Sequence, residues 1–412
     1  MTRVTLALCF LVGCHKSHPT RIFQLHPIGR EAAIAIWGEE GGTNLHLGEV
    51  APHGDRIWSV SLDATVDSAH APFAVDNARI YLAHRDQDLW RLDARDVTSG
   101  HTFWSAQLSL AKQETNPKVC LADGSLVIWN EHSLVVVARE TGQVRASLEF
   151  KEYVTPPTVT GPYVVVELAD EVVAVSVASG STSRLKREVP GCADGNEYVE
   201  CRDGKILVRE LRDLAPVATL TTTNREMLIS SCGHFEDKRV VTAAVADEHQ
   251  VEGTAVFVVD AAGMIVHNFE FPGDHRGGVE EYRWHDRSDL NGQLTRFSPL
   301  SVRIPGSKQT EIVALDLTMM TSKLVATLVE SDVALFPIGG DWLWEPTFGT
   351  APTIGSLNGT TGEVASTQLV ATKLPQVLPG DVAASTIWMF SDKWTTGRFE
   401  VSRLDAAMHP LK

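Results

Sequence analysis

Positive charge is scarce in this sequence. Its 412 residues include 36 Lys and Arg against 52 Asp and Glu, which gives a formal net charge of −16. Nucleic acid partners require a basic surface that neutralises their phosphates, and anionic lipid surfaces likewise attract basic segments. The acidic balance therefore argues against binding to nucleic acid and against broad adhesion to anionic membranes.

Several motifs of catalytic and membrane-spanning proteins are also missing. The sequence contains no Gly-x-Ser-x-Gly, no phosphate-binding loop, no His-Glu-x-x-His and no Asp-box turn, each of which arranges groups for a particular chemistry. No apolar run approaches the ~20 residues of a spanning helix. Adjacent cysteines and Cys-x-x-Cys are absent too, which argues against a redox dithiol or a paired zinc knuckle. We expect no enzyme activity, no cofactor and no metal.

The N-terminal residues predict an export signal with a lipid attachment point. Residues 4–12, VTLALCFLV, follow Arg3 and have the length of a secretory signal core. Residues 11–14, LVGC, resemble the bacterial lipobox, in which Cys14 would receive a diacylglycerol and residues 1–13 would be removed. An ordinary secretory signal with an incidental cysteine is the alternative.

The predicted anchor indicates where the protein works. Several acyl chains hold a protein to a membrane stably, and residues 14–20 would form a short tether between the lipid and the folded chain. An Asp after the cysteine is the inner-membrane retention signal of enterobacteria, so His15 favours the outer membrane. We predict a cell-envelope lipoprotein of the outer membrane that faces the periplasm or the surface. The inner membrane stays an alternative.

A repeated strand pattern runs through the rest of the chain. Each copy has a β-branched strand, a polar turn, a second such strand, a turn rich in Gly, Thr or Asp, and a shorter closing strand. Val, Ile, Tyr and Trp favour a pleated, buried surface, and Asp-Gly or Thr-Gly pairs tolerate positive φ in turns. Long amphipathic helical patterns are absent. The copies cover residues 79–109, 125–150, 163–186, 198–220, 256–271, 311–328 and 353–369.

The spacing of the copies predicts an all-β fold, a β-propeller. Matching turn glycines fall at Gly100, Gly142, Gly180, Gly263 and Gly362, with degenerate copies near Leu214 and Thr318. Intervals of roughly 35–55 residues are the length of one four-stranded blade. We predict a single propeller domain over residues 21–412 with eight blades. The blades would begin near Ile22, Pro72, Lys118, Pro156, Pro190, Ser230, Glu281 and Val333.

The blade count has two alternatives. A ninth stretch, residues 378–407, contains two further strand patterns. Either an N-terminal strand completes this stretch as a blade, or one of the eight units is not a blade. Seven or nine blades are therefore also compatible with the sequence.

The strand pattern (L/V)-x-(D/A)-x-x-(T/S)-G with a closing aromatic residue resembles the PQQ-like propeller repeat of quinoprotein alcohol dehydrogenases. Leu92, Asp93, Gly100 and Trp104 carry this resemblance best, and the closing Trp is otherwise present only at Trp58. The resemblance implies the fold. The quinone enzymes resemble one another in an adjacent-cysteine disulfide and a set of calcium ligands, and neither has a counterpart here. The chain also looks like a distant relative of the propeller lipoprotein of the outer-membrane barrel-assembly machine.

Four cysteines remain once the leader and the predicted lipidation site are set aside: Cys120, Cys192, Cys201 and Cys232. They allow three complete pairings, and the sequence does not choose among them. Cys120, Cys192 and Cys232 precede the first turn of their copies, which predicts innermost strands. A disulfide between Cys192 and Cys232, in consecutive copies, requires Cα atoms within ~7 Å. Free buried thiols are the alternative.

One segment interrupts the strand pattern. Residues 273–292, GDHRGGVEEYRWHDRSDLNG, form a predicted inter-strand insertion, and insertions on rigid scaffolds often carry recognition. Tyr282, Trp284 and His285 are the candidate partner contacts, because aromatic anchors dominate many interfaces. A divalent-ion site or a solvated loop without a role are the alternatives. Elsewhere, the period-two spacing of Trp342 and Trp344 predicts packing between blades.

These patterns together predict a non-enzymatic, lipid-anchored propeller that acts as a scaffold for other envelope proteins. A role in outer-membrane protein assembly follows from the resemblance alone, because function lives in sites grafted on a fold. One alternative is an oxidoreductase that depends on pyrroloquinoline quinone and calcium. The other is a propeller that binds glycans or small ligands in its central funnel.

Overall fold

The structure is a computed structural model. It describes residues 20–28, 32–39, 45–51, 56–62, 73–86, 89–110, 117–152, 154, 156–222, 226–246, 251–272, 274–275, 294–303, 309–329, 333–338, 340–346, 353–368, 376–379, 386–395 and 398–405. Strands and their connecting turns account for these ranges. No helix that is long and apolar enough to cross a membrane occurs within them.

Hydrogen bonding pairs the described strands into eight antiparallel sheets, and the second to eighth sheets each contain four strands in chain order. The first four sheets contain β1 (Thr20–Ile28), β2 (Ala32–Glu39), β3 (Leu45–Val50), β4 (Arg56–Leu62); β5 (Phe73–Val75), β6 (Arg79–Asp86), β7 (Leu89–Asp96), β8 (Thr102–Leu108); β9 (Lys118–Ala122), β10 (Ser125–Asn130), β11 (Ser133–Ala138), β12 (Val144–Glu149); β13 (Thr158–Thr160), β14 (Tyr163–Glu167), β15 (Glu171–Ser176) and β16 (Thr182–Lys186).

The next four sheets follow the same order. They contain β17 (Gly191–Asp194), β18 (Glu197–Arg202), β19 (Lys205–Glu210), β20 (Pro216–Thr221); β21 (Glu226–Phe235), β22 (Lys238–Ala246), β23 (Val251–Val259), β24 (Ile265–Pro272); β25 (Asp274–His275), β26 (Phe297–Arg303), β27 (Gln309–Asp316), β28 (Thr321–Val329); β29 (Val333–Ile338), β30 (Asp341–Pro346), β31 (Thr353–Leu357) and β32 (Val364–Gln368).

Three C-terminal strands extend the first sheet: β33 (Gln376–Pro379), β34 (Thr386–Thr395) and β35 (Arg398–Asp405). β34 pairs with β33, with β35 and with the start of β1, where Thr20 lies opposite Trp394. β33 also contacts β29 of the eighth sheet, so the last and first sheets meet here. The predicted ninth stretch therefore joins an N-terminal strand, which is one of the two arrangements that the sequence left open.

The sheets pack face to face around a central axis. β10 and β11 are buried at every position, whereas the outermost strand β8 alternates between half-buried and exposed residues. First strands of neighbouring sheets contact one another: β5 contacts β9, and β17 contacts β21. This arrangement is a β-propeller, and the alternation of burial is the period-two pattern that its strands require.

The predicted blade starts agree with the observed sheets. Seven of the eight lie within four residues of the first residue of a first strand. The seventh, near Glu281, lies outside the described residues, and the seventh sheet starts at Asp274. Eight sheets are consistent with the predicted eight blades. Trp342 and Trp344 are buried in the apolar cluster that spans the sixth to eighth sheets, which confirms their predicted packing.

The antiparallel order gives each sheet two ends. The turns between first and second strands and between third and fourth strands lie at one end, which we call the turn face. The turns between second and third strands lie at the other end, the loop face. Neighbouring sheets share this orientation, because residues at their turn ends bond to each other. Thr160 Oγ1 donates to Gly195 O at 3.4 Å, and Leu294 N donates to His234 O at 2.7 Å.

In the second to eighth sheets, the described turn before the outermost strand contains a residue with positive φ. The glycines predicted at this position have φ between 69° and 81° in five sheets, a region in which glycine has no steric penalty. In the two degenerate copies the position is held by Leu214 and Met320, with φ of 56° and 54°. The repeat thus keeps its backbone shape where it has lost its glycine, and the second degenerate position is Met320 rather than Thr318.

Two of the four described cysteines are bonded to each other. Cys192 of β17 and Cys232 of β21 form a disulfide, and their Cα atoms lie 5.8 Å apart. Cys120 and Cys201 are buried and form no disulfide. Burial raises the pKa of Cys201 to about 11, so this thiol stays protonated and unreactive at neutral pH. The disulfide links the fifth and sixth sheets close to the axis.

Thiol counting tests this pairing. The denatured mature protein, with Cys14 acylated, should show two reactive thiols without reductant, from Cys120 and Cys201, and four after reduction. The Cys120→Ser/Cys201→Ser double variant is the control, and it should show none before reduction. Four thiols in the unreduced wild-type protein would rule out the disulfide.

A second prediction concerns backbone strain at an exposed turn. Glu236 has a φ of 54°, and its side chain, 66% exposed, makes only a surface contact with Lys238. Glu236→Gly should raise the free energy of unfolding by about 0.5–1 kcal/mol, because left-handed backbone costs a residue with a Cβ roughly 1–2 kcal/mol. Asp237→Gly is the matched control: its φ is not positive, so this change should destabilise slightly. Denaturant midpoints that shift alike in both variants would contradict the strain.

Candidate functional site

The residues predicted for partner contact and lipidation lie outside the described residues. These are Tyr282, Trp284 and His285 in the insertion, and Cys14 near the N-terminus. Among the described residues, no group of three or more His, Cys, Asp or Glu side chains is arranged to hold a metal ion. The described surface that stands out is the turn face, and it is built from three kinds of contact.

The first kind stabilises the turns themselves. Asp96 Oδ1 accepts hydrogen bonds from Thr98 N at 3.0 Å, Thr98 Oγ1 at 2.6 Å and Ser99 Oγ at 2.9 Å. These bonds lower the pKa of Asp96, and the bond from the Thr98 hydroxyl has the largest effect. Asn358 Oδ1 accepts equivalent bonds from Thr360 N and Thr361 N. Short polar side chains that bond to backbone two residues on fix the shape of such turns.

The second kind packs the outermost strand of one sheet on the turn of the next. A Cβ placed on Gly100 would lie 2.7 Å from Cζ3 of Trp58, and one on Gly142 would lie 2.7 Å from Cε3 of Trp104. Only glycine fits under these indole rings. The indole N–H of Trp58 also donates to Glu49 Oε2 at 2.8 Å. The two Trp residues of the repeat therefore hold the first three sheets together in order.

The third kind leaves apolar side chains in solvent. Nearly all exposed large apolar residues among the described ones lie in the turn before an outermost strand or in that strand's first four residues. We call this set the apolar rim. Its members are Ile57, Phe103, Val144, Val217, Met264, Val266, Met319, Leu324 and Val364. The two exposed apolar residues outside it are Leu89 and Leu228.

The apolar rim is placed by strand alternation. In β8 the side chains of Trp104, Ala106 and Leu108 face the next sheet, and those of Phe103, Ser105 and Gln107 face outward. The outward positions are polar except the first. The same holds for β4, where Ile57 precedes Ser59 and Ser61. An apolar residue next to the turn is therefore not required by packing between sheets.

Phe103 is the exposed aromatic residue of the described surface, and its side chain is 52% exposed. The guanidinium carbon of Arg79 lies 5.3 Å from its ring centroid, and Arg79 Nη2 lies 2.7 Å from Glu140 Oε2. The hydrogen bond with Glu140 raises the pKa of Arg79. An exposed aromatic ring beside an oriented arginine has the composition of an interface hot spot.

The neighbours of Phe103 are also apolar. Trp58 packs on the turn that precedes Phe103, and Trp104 packs on the turn that precedes Val144. These contacts order the outermost strands that carry Ile57, Phe103 and Val144 in consecutive sheets. Ile57 and Phe103 hold equivalent positions, and Val144 stands one residue earlier, in the position of Thr102.

Ionic contacts between sheets line the turn face nearer the axis. His234 Nδ1 lies 2.9 Å from Asp194 Oδ2, and Arg239 Nε lies 2.7 Å from Glu197 Oε2. The Asp194 carboxylate is nine-tenths buried, and its hydrogen bond raises the pKa of His234. These pairs join the fifth and sixth sheets beside the disulfide. Their charges are used within the protein, which leaves the apolar rim as the surface available to a partner.

Sequence reasoning missed the apolar rim because it weighed residues that face the core or an insertion. The signal was present in the copies. An apolar residue stands directly before the closing Trp at Ile57 and Phe103, and Val217 and Val266 hold the equivalent position. In a strand whose other outward residues are polar, such a residue points to a contact outside the sheet.

Comparison with known families finds one match. Residues 49–152 match the family model PQQ_2, described as outer membrane protein assembly factor BamB. This segment, about a quarter of the chain, contains both Trp–Gly contacts. The match confirms the PQQ-like repeat that the sequence predicted. No curated protein matches the chain.

Solved structures resemble the chain at low identity. The WD40 domain of SCAP from fission yeast is 10% identical, with 95% of this chain and 96% of that chain covered and a TM-score of 0.45. The β-propeller domain of Cps50 (Swd1) from Myceliophteria thermophila is 10% identical, with 70% and 98% covered and a TM-score of 0.41. Dihydro-heme d1 dehydrogenase NirN is 11% identical, with 85% and 73% covered and a TM-score of 0.45.

The Asp194–His234 pair predicts a pH-dependent contribution to stability. The pKa of His234 is raised in the folded protein, so the pair stabilises fully below the unfolded pKa of about 6.5 and less as pH rises through the folded pKa. His234→Gln should therefore lower the free energy of unfolding more near pH ~5.5 than near pH ~9. Chemical denaturation at both pH values measures the difference.

A control separates this pair from other charges. Glu197 also raises the pKa of His234, so the same measurement is made on Asp194→Asn. If Asp194 is the main partner, replacing His234 in that background should show little dependence on pH. An equal loss of stability at both pH values in the wild-type background would contradict the prediction.

Proposed function

We propose that this protein is a non-enzymatic propeller, anchored by lipid in the cell envelope, whose turn face binds other envelope proteins. The observation that carries the proposal is the apolar rim. Large exposed apolar residues recur at the start of the outermost strands in seven of the eight sheets, and fewer occur elsewhere on the described surface. Exposed apolar groups that share one face mark interaction surfaces.

The chemistry of the rim indicates the kind of partner. Ile57, Phe103 and Val144 would be buried against apolar side chains of the other protein. The chain has a net charge of −16, so a partner with basic residues around its apolar contact would associate faster and more specifically. Arg79 is already paired with Glu140 and leaves no excess positive charge at this site. We therefore propose a basic, partly apolar protein surface as the partner.

The family match supports a specific setting. The matched family is described as an outer membrane protein assembly factor, and the matched segment contains the first three blades' part of the rim. We extend the proposal to assembly of outer-membrane proteins on this ground. Lipid attachment at Cys14 supports the same setting, since it would place the propeller at a membrane surface.

The experiment compares two faces of one protein. The Ile57→Ser/Phe103→Ser variant removes two rim residues, and Leu89→Ser removes an exposed apolar residue near the loop face. Each full-length, tagged protein is purified from detergent-solubilised envelopes, and co-purified barrel-assembly proteins are quantified. The rim variant should lose roughly tenfold or more of its partners, since each hot-spot side chain contributes over about 1 kcal/mol. The Leu89→Ser protein should keep them.

Two outcomes would count against the proposal. Equal recovery from all three proteins would show that the rim does not bind the partner. Absence of barrel-assembly proteins from the wild-type sample would remove the assembly role. Unfolding midpoints of the variants should match the wild type, because all three side chains are exposed, and this check separates lost binding from lost folding.

A further inference from the structure

We infer that the loop face of the propeller lies against the lipid headgroups of the membrane that carries the anchor, and that the turn face points away from this membrane. The inference rests on the proposed lipid attachment at Cys14. The inference goes beyond this attachment, because attachment alone does not determine which face of the propeller meets the bilayer. Three properties of the structure determine the orientation.

The first is the direction of the first strand. Thr20 at the start of β1 lies opposite Glu39, the last residue of β2, whereas Ile28 lies opposite Ala32. The turn between β2 and β3 belongs to the loop face, so Thr20 is at the loop face and Ile28 is at the turn face. The chain that precedes Thr20 therefore reaches the folded domain from the loop side.

The second is the reach of the tether. Six residue steps separate Cys14 from Thr20, and an extended chain spans at most about 20 Å over this length. β1 has nine residues and is about 27 Å long at 3.3 Å per residue step. A lipid on Cys14 thus cannot lie in a bilayer that touches the turn face, because the tether is shorter than β1.

An edge-on arrangement is the remaining geometry. In the first sheet β2, β3 and β4 follow β1 in order on the side away from β33 and β34, so β4 is the outer edge. Three strand spacings of about 4.8 Å and an outward side chain put the outer edge nearly 20 Å from β1. An edge-on propeller would need a fully extended tether, which is entropically unfavourable. When the loop face contacts the membrane, the tether does not need to be fully extended.

The third is the chemistry of the two faces. Leu89 and Leu228 are the exposed large apolar residues towards the loop ends of the described strands, and they lie in different sheets. Among the described residues, the loop face therefore exposes fewer large apolar side chains than the turn face. The apolar rim on the opposite face stays accessible to proteins. The anchor and the partner surface thus occupy opposite ends of the same strands.

The fourth sheet offers a matched pair of probe positions. Ala169 and Ala178 are both exposed and stand on either side of β15, Ala169 at the loop face and Ala178 at the turn face. The strand between them, β15, has six residues and is about 17 Å long at 3.3 Å per residue step. Ala169→Cys and Ala178→Cys, each labelled with a donor fluorophore, sample the two faces through the same chemistry. The native thiols Cys120 and Cys201 are buried, and the labelled wild-type protein measures their background.

Energy transfer to the membrane then measures the orientation. The full-length lipidated proteins are reconstituted into phosphatidylethanolamine–phosphatidylglycerol vesicles that contain a headgroup-labelled acceptor lipid. Transfer should be roughly twofold higher from position 169 than from position 178, given the ~17 Å strand between them. Equal transfer would show an edge-on propeller, and higher transfer from position 178 would show the reverse orientation. Either result would overturn the inference.

The same experiment separates this inference from the proposed anchor. Cys14→Ala, carried in both labelled proteins, should abolish vesicle binding and transfer from either position. Vesicle binding that persists in Cys14→Ala would show that the proposed anchor is wrong, and the orientation argument would fail with it. Loss of binding in Cys14→Ala together with equal or reversed transfer in the anchored protein would contradict the orientation alone.

Discussion

The propeller depends on how the outermost strand of one sheet packs on the turn of the next. A β-sheet buries two faces only if its neighbours stay in register with it, and the described strand ladders of the second to eighth sheets are separate from one another. Contacts of side chains and turns therefore fix that register. Trp58 on Gly100 and Trp104 on Gly142 do so most completely, because a flat ring over a bare backbone tolerates little displacement. The glycine at the turn leaves room for the ring.

Sheets without this contact are held by other means. Between the fourth and fifth sheets, the buried Tyr198 hydroxyl donates to Glu167 Oε1 at 2.9 Å. Burial raises the pKa of Tyr198, which keeps the hydroxyl protonated as a donor. A Cβ on Gly191 would lie 2.4 Å from this hydroxyl, so glycine is required there as well. Between the fifth and sixth sheets the Cys192–Cys232 disulfide supplies the connection. A repeat that has diverged in sequence thus keeps its geometry by replacing one inter-sheet contact with another.

The sequence predicted the fold well because strands, turns and repeat length are local properties. Period-two burial and turn glycines appear in each copy, and seven first strands lie where they were expected. The candidate site was harder to predict. Phe103 and Ile57 look like ordinary strand residues until the structure shows that their neighbours along the strand face the next sheet. The exposure of a strand residue depends on which face of the sheet its side chain lies on, and a one-residue change in register reverses that face.

The division between the two faces follows from the strand order itself. Every outermost strand starts at the turn face, so an apolar residue near its start lies on the same face in each sheet. β1 starts at the opposite face, and any anchor preceding it is attached on that side. In a chain built from antiparallel four-stranded repeats, the strand order alone therefore separates the N-terminal attachment from the starts of the outermost strands. The residue at the rim position can differ between copies, as Phe103, Val217 and Val266 do. The rim residues still form one surface directed away from the anchor.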